Sequence, residues 1–119
     1  MSTFTYPATV ANPRGGPHPV EVKFLVDTGA AFTSLPAPQL EALGLTPAWR
    51  VPIRLADGRL EEWGGAEILL TIDGRSLHTP CLFAPPGSPA LLGAVALEQF
   101  ALAVDPLNRT LVPVRVPMT

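Results

Sequence analysis

Short apolar stretches separated by turn-forming residues dominate this chain. Fifteen prolines and ten glycines interrupt its 119 residues. Because proline removes a backbone donor and both residue types favour turns, the pattern disfavours long helices and predicts many short strands. The apolar runs place strands at residues 5–10, 20–26, 49–56, 61–72 and 76–83, with two more between residues 100 and 116.

Turn signals connect these strands in order. Residues 12–17 predict a turn that brings the first strand back beside the second, and Asp57-Gly58 is a strong hairpin signal. Asp73-Gly74 predicts the next hairpin, and the proline-rich stretch 85–89 predicts a rigid, irregular connection. The predicted architecture is therefore an all-β barrel or sandwich.

Two short helices are predicted among the strands. Residues 37–43 have helical composition, with Pro38 near the beginning and Gly44 just past the end, which is the expected asymmetry. Residues 94–100 also have helical composition. Both segments are too short to change the all-β class.

Composition predicts one globular domain covering residues 1–119. Hydrophobic residues make up 47% and charged residues 15%, which disfavours a disordered chain. The net charge is −2, and Lys23 is the single lysine among scattered arginines. Without a basic face, nucleic-acid binding is not expected.

Cysteine and histidine content argues against thiol or metal chemistry. Cys81 is the only cysteine and lies three residues from His78, so an extended strand would put the two side chains on opposite faces. With His18 they also lack the spacing of a structural zinc site, and no cofactor is predicted. No secretory signal and no apolar run of about 20 residues is visible, so we expect a cytoplasmic protein without membrane contact.

The segment Asp27-Thr28-Gly29-Ala30 is the strongest candidate for chemistry. It directly follows the apolar strand at residues 20–26, so an acid sits where a strand leaves the core. Gly29 permits close approach of another backbone, and Thr28 supplies a hydroxyl. The alternative interpretation of these residues is an ordinary polar turn.

A second motif, near the end of the chain, supports the Asp27 segment as the candidate site. Leu91-Leu92-Gly93 precedes the helical stretch 94–100, and Thr33-Ser34-Leu35-Pro36 follows the acidic loop. Together with Asp27-Thr28-Gly29-Ala30 and the central hairpin, these residues make the chain resemble the retropepsin-like (retroviral-type) aspartic proteases, as a small bacterial-type member. The resemblance covers roughly residues 20–114.

The resemblance implies a closed β-barrel with a flap hairpin, and an endopeptidase that activates water with aspartates. The implied catalytic residue is Asp27, supported by Thr28, Gly29 and Ala30, while Leu91, Leu92 and Gly93 lie beneath the loop. The implied flap has its tip at residues 56–59, which are Ala56, Asp57, Gly58 and Arg59.

The number of Asp-Thr-Gly segments predicts the oligomeric state. Aspartic proteases use two carboxylates, but this chain has one Asp-Thr-Gly, and Asp57, Asp73 and Asp105 all look like turn residues. The second carboxylate is expected from Asp27 of another copy in a symmetric homodimer. The implied substrate is an extended peptide or unfolded protein.

The chain departs from retroviral members at three positions. Those enzymes carry an acid and an arginine-containing pair that brace the dimer, whereas this chain has Ala31, Ala94 and Val95. Since acid and arginine are replaced together, no buried charge is left without a partner. Packing is expected to brace the site instead.

Two other functions remain open. A catalytically silent peptide-binding or dimerisation module could keep the same fold, although Asp27, Thr28 and Gly29 are all present. An unrelated β-barrel with a chance motif is the third possibility, and it predicts no dependence of activity on dimer concentration.

Overall fold

The computed structural model describes residues 3–119, which form nine strands and two short helices. The strands are β1 (Thr5–Ala11), β2 (Val20–Val26), β3 (Thr33–Pro36), β4 (Trp49–Arg54), β5 (Leu60–Ile72), β6 (Arg75–Ala84), β7 (Leu91–Leu92), β8 (Leu102–Asp105) and β9 (Thr110–Pro113). The helices are α1 (Ala37–Ala42) and α2 (Ala94–Gln99). No strand was predicted at β3 or β7, and β4 is shorter than predicted; β1, β2, β5, β6 and the two helices lie within about one residue of their predicted bounds.

Seven strands form one sheet that closes on itself. Their order is β1-β2-β7-β3-β6-β5-β4, and β1 also pairs with β5, so six strands make a closed barrel with β4 outside it. Closure removes the exposed edges that an open sheet would present. The prediction of an all-β closed barrel with short helices is confirmed.

The barrel core follows from alternation along the strands. In β5 the side chains of Ala66, Ile68, Leu70 and Ile72 are buried, while the residues between them are more exposed. Successive strand side chains point to opposite faces, so a period of two fills the interior with one face of each strand. One continuous cluster of buried residues runs from Phe4 to Leu111.

The β4–β5 hairpin projects beyond the barrel. Strand β6 pairs with β5 only from Gly64 to Ile72, so residues 60–63 pair with β4 alone. The predicted strand at 49–56 ends earlier than expected, at Arg54. Leu55 N donates to Arg59 O at 2.8 Å, which makes residues 55–59 the connecting loop.

Strands β8 and β9 form a separate antiparallel pair beside α2. Asp105 closes their turn, because its Oδ1 accepts from Leu107 N at 3.0 Å and from Asn108 N at 3.2 Å. The two predicted strands between residues 100 and 116 are thus present. Their connection is residues 106–109, and Asp105, which was predicted to be a turn residue, is the last residue of β8.

Candidate active site

Asp27 lies immediately after β2, in a loop whose backbone is fixed by hydrogen bonds and donates one to the carboxylate. The loop is fixed by Asp27 N, which donates to Leu92 O at 3.1 Å, and by Ala30 N, which donates to Asp27 O at 3.1 Å. Gly29 N donates to Asp27 Oδ1 at 2.9 Å. The carboxylate is oriented by the Gly29 N–H and, because the side chain is only half-buried, is open to a ligand.

A side chain at position 29 would crowd this carboxylate. A Cβ at position 29 would lie 3.2 Å from Asp27 Oδ1, closer than side chains usually pack. The absence of a side chain also leaves the backbone of the loop accessible from outside. Gly29 therefore leaves room for the Asp27 carboxylate.

The short strand β7 lies between β2 and β3. Leu25 pairs with Leu91 and Val26 pairs with Leu92 in parallel register, and Ser34 pairs with Leu91 in antiparallel register. Leu92 is fully buried. The structure therefore brings Leu91 and Leu92 directly against the strand that delivers Asp27.

Gly93 lies very close to the backbone of Phe32 and Thr33, which follow the Asp27 loop. A Cβ at this position would lie 2.5 Å from Phe32 O and 2.9 Å from Thr33 N, both backbone atoms. Gly93 N donates to the buried Thr33 Oγ1 at 3.2 Å. Only glycine fits this approach, and the threonine satisfies its buried N–H.

Main-chain hydrogen bonds join the loop to the first turn of α2. Ala94 N donates to Ala30 O at 2.8 Å, and Val95 N donates to Ala31 O at 3.0 Å. These are the apolar positions where retroviral members were expected to carry charged partners. Here two backbone bonds connect the segments without any side-chain charge.

Thr28 faces outward. Thr28 is exposed, and no side-chain hydrogen bond within residues 3–119 involves its hydroxyl. It lies at the rim of an apolar groove of about 420 Å³ formed with α2, β8 and residues 114–117. Ala30 and Phe32 are half-buried beside the loop.

The predicted flap tip is an exposed, internally bonded loop. Gly58 N donates to Leu55 O at 2.9 Å, and Arg59 N donates to Asp57 Oδ1 at 3.0 Å. The hydrogen bond from the Arg59 backbone, followed by that from its guanidinium, lowers the pKa of Asp57. Residues 56–59 are all exposed. Among the described residues, no side-chain hydrogen bond joins this tip to the Asp27 loop.

The other aspartates sit in turns, as expected. Asp73 accepts a hydrogen bond from Tyr6 Oη and has a positive φ of 50°. Hydrogen bonds from the Asn108 side chain and backbone lower the pKa of Asp105. Among the described residues, Asp27 is the one aspartate held by the β2–β7 junction.

Cys81 and His78 lie in different environments. Cys81 is fully buried, and burial raises its pKa to about 12, so the unreactive thiol form persists at neutral pH. His78 is exposed and pairs with Glu67. Within residues 3–119 no cluster of three His, Cys, Asp or Glu side chains could hold a metal ion.

No helix in the described part of the chain is long and apolar enough to cross a membrane.

Sequence reasoning missed two features of the site. The role of Thr33 as acceptor for Gly93 N was not predicted, although a threonine within an apolar strand is a signal, since buried hydroxyls need partners. The groove beside Thr28 was also missed. The groove is built from segments that are distant in sequence, so no local pattern predicts it.

Comparison with known proteins identifies the family. The family model described as "gag-polyprotein putative aspartyl protease" matches residues 18–99, and the chain belongs to this family of retropepsin-like aspartic proteases. No match was found among curated proteins.

Solved structures support the same fold. EIAV protease in complex with the inhibitor HBY-793 is 19% identical, with a TM-score of 0.63, covering 82% of this chain and 88% of the viral one. The retroviral protease-like domain of Ddi1 from Leishmania major is 18% identical, with a TM-score of 0.63 and coverage of 98% and 91%. A retropepsin-like aspartic protease from Rickettsia conorii is 20% identical, with a TM-score of 0.59 and coverage of 85% and 84%.

Proposed function

We propose that this protein is an aspartic endopeptidase whose active site is completed by a second copy of the chain. The observation that carries the proposal is the position of Asp27, whose half-buried carboxylate accepts a hydrogen bond from Gly29 N and whose backbone N donates to Leu92 O of β7. The whole chain acts as one protease domain. Its single buried thiol suits a reducing compartment, and the cytoplasm is the compartment we propose.

The need for a second copy follows from the chemistry. Peptide hydrolysis by aspartates uses one ionised and one protonated carboxyl, because like charges about 3 Å apart cannot both ionise cheaply. The other aspartates of the chain are engaged in turns. A two-fold axis beside the exposed Thr28 brings two Asp27 side chains together, and each copy supplies one.

The reaction then proceeds without a covalent intermediate. The ionised Asp27 takes a proton from water as the water oxygen attacks the scissile carbonyl carbon, and the protonated Asp27 of the partner subunit gives its proton to the carbonyl oxygen. When the resulting diol collapses, the carbon–nitrogen bond breaks, the first Asp27 gives its proton to the leaving amine, and a diol hydroxyl returns a proton to Asp27 of the partner subunit. We expect activity at mildly acidic pH, because the reaction needs one carboxyl ionised and the other protonated.

Substrates are extended peptides or unfolded segments of proteins. A peptide in the cleft can pair its backbone with the loop at Gly29 and with the β4–β5 hairpin, in the manner of an added strand. Ala30 and Phe32 border the cleft with apolar surface, which favours apolar substrate side chains. The tip at residues 56–59 is exposed and anchored by few contacts, as a lid over substrate needs to be.

Cleavage of an unstructured peptide library between about pH 4 and 7 tests this function. Wild type is compared with Asp27→Asn and with Asp73→Asn, a matched change of a turn aspartate far along the chain. We expect cleavage by wild type and by Asp73→Asn, and none by Asp27→Asn. Equal cleavage by all three variants would exclude Asp27 as the catalytic group.

A catalytically silent peptide-binding module is the second candidate. The exposed hairpin and the accessible loop backbone would serve binding alone equally well. A folded, dimeric wild type that binds library peptides and cleaves none of them would favour this module over the protease.

A further inference from the structure

The side chain of Gln99 fixes the C-terminal end of α2 to strand β6. Thr79 Oγ1 donates to Gln99 Oε1 at 2.5 Å, and Gln99 Nε2 donates to His78 O at 3.2 Å. Because a backbone carbonyl can only accept, the amide nitrogen must face His78 and the amide oxygen must face Thr79. One glutamine thereby joins α2 to two consecutive residues of β6.

Thr79 is a buried polar residue whose partner lies outside the barrel strands. It is 1% exposed, and its hydroxyl bonds to Gln99. Strand β3 pairs with β6 only from Cys81 to Ala84, so among the described residues no strand lies beside the preceding part of that β6 edge. Gln99 occupies this position, and its loss would leave a buried hydroxyl without a partner.

The other end of α2 is bonded to the Asp27 loop. The first N–H groups of a helix have no partner within the helix, and here Ala94 N donates to Ala30 O at 2.8 Å and Val95 N donates to Ala31 O at 3.0 Å. Ala30 N in turn donates to Asp27 O at 3.1 Å. A shift of α2 therefore reaches the residue that carries the carboxylate through two successive hydrogen bonds.

The helix is too short to keep its position without anchors. It has six residues, and isolated helices shorter than about 12 residues are marginal in water. Leu97 and Phe100 bury apolar surface in the core, and the guanidinium of Arg75 donates to Phe100 O. The two bonds of Gln99 add a directional link, which fixes where the end of α2 lies along β6.

We propose that Gln99 is a positioning residue for Asp27, with Thr79 as its anchor on the barrel. This inference rests on the proposed function, because the carboxylate that α2 positions is the proposed catalytic group. Gln99 acts through α2 rather than on substrate. It keeps the first turn of α2, and with it the Ala30 carbonyl and the Asp27 loop, in the geometry that the reaction needs.

Peptide-cleavage kinetics of matched variants test this role. Thr79→Val and Gln99→Met keep the size of the side chain and remove the bond between the two residues, and each is expected to lower kcat about tenfold with KM within about twofold of wild type. The double variant should be no slower than either single variant, because both changes remove the same bond. Thr79→Ser keeps the hydroxyl and should retain the wild-type kcat. Thr71→Val removes the exposed Thr71–Ser76 bond near the β5–β6 turn, so it is the matched control and should change neither constant.

Amide hydrogen exchange separates positioning from a general loss of stability, and it needs no substrate. In Gln99→Met the amides of Ala94 and Val95 should exchange about tenfold faster, while those of the β1–β2 ladder keep their wild-type rates. Faster exchange throughout the protein would overturn the inference, since Gln99 would then only stabilise the fold. Wild-type exchange at Ala94 and Val95, or a wild-type kcat in both single variants, would overturn it as well. Faster exchange confined to the first turn of α2, in a protein whose wild type cleaves nothing, would uphold the link from Gln99 to the Asp27 loop and refute the protease.

Discussion

Replacing Gly93 with alanine should destabilise the protein through a steric clash with backbone. The added Cβ would lie 2.5 Å from Phe32 O and 2.9 Å from Thr33 N. Both atoms belong to the chain entering β3, so they cannot rotate away as a side chain could. Either the junction of β7 with the Asp27 loop opens, or Gly93 N loses its bond to Thr33 Oγ1.

The sign of the stability change in Gly93→Ala distinguishes a steric clash from its absence. Gly93 has φ −97° and ψ 175°, a conformation open to any residue. Without a clash, alanine would stabilise the protein by about 0.5 kcal/mol, because it reduces the entropy of the unfolded chain. Overpacking against rigid backbone costs about 3 kcal/mol. For a chain of this length that corresponds to a fall in Tm of about 12 °C.

Denaturant and thermal unfolding measure this difference, with Gly15→Ala as control. Gly15 has φ +85° and open space around it, so its variant isolates the conformational cost of about 1–2 kcal/mol without a clash. A Gly93→Ala protein as stable as wild type, or more stable, would refute the close approach of β7 to the catalytic loop.

Three further effects can be measured on the same protein. Thr33→Val should cost about 1–3 kcal/mol in unfolding experiments by leaving Gly93 N unsatisfied, whereas Thr33→Ser keeps the acceptor and should cost less. Because burial raises the pKa of Cys81 from 9.0 to about 12, its contribution to stability is complete below about pH 9 and is lost as pH rises; a Cys81→Ala variant should decline less over that range. The pKa of Asp105 is lowered, so its contribution is present at neutral pH and is lost as pH falls through the folded value; carboxyl NMR should show it titrating below 3.8.

Much of the fold was predictable because its strands are long enough to show a period. Buried positions alternate along β5 and β2. The turns before and after β5 contain aspartate followed by glycine, so local patterns and tertiary structure agree. The Asp57-Gly58 signal located the β4–β5 hairpin. It did not give the loop length, since the hydrogen bond between Leu55 and Arg59 sets that.

The parts that escaped prediction are those with no local signal. Strand β7 has two residues, too few for any periodicity, and its pairing joins Leu25 to Leu91 across most of the chain. The Thr33 to Gly93 hydrogen bond and the groove beside Thr28 likewise depend on segments that meet only after folding. The motif residues identified the candidate site, while its support came from these distant contacts.

A shared active site can be tested by mixing wild type with Asp27→Asn at fixed total concentration and measuring peptide cleavage after subunit exchange. If both Asp27 side chains are needed, only wild-type dimers cleave, and an equal mixture should retain about one quarter of the wild-type rate. A rate of about one half would mean that each copy works alone, which would contradict a site built from two chains.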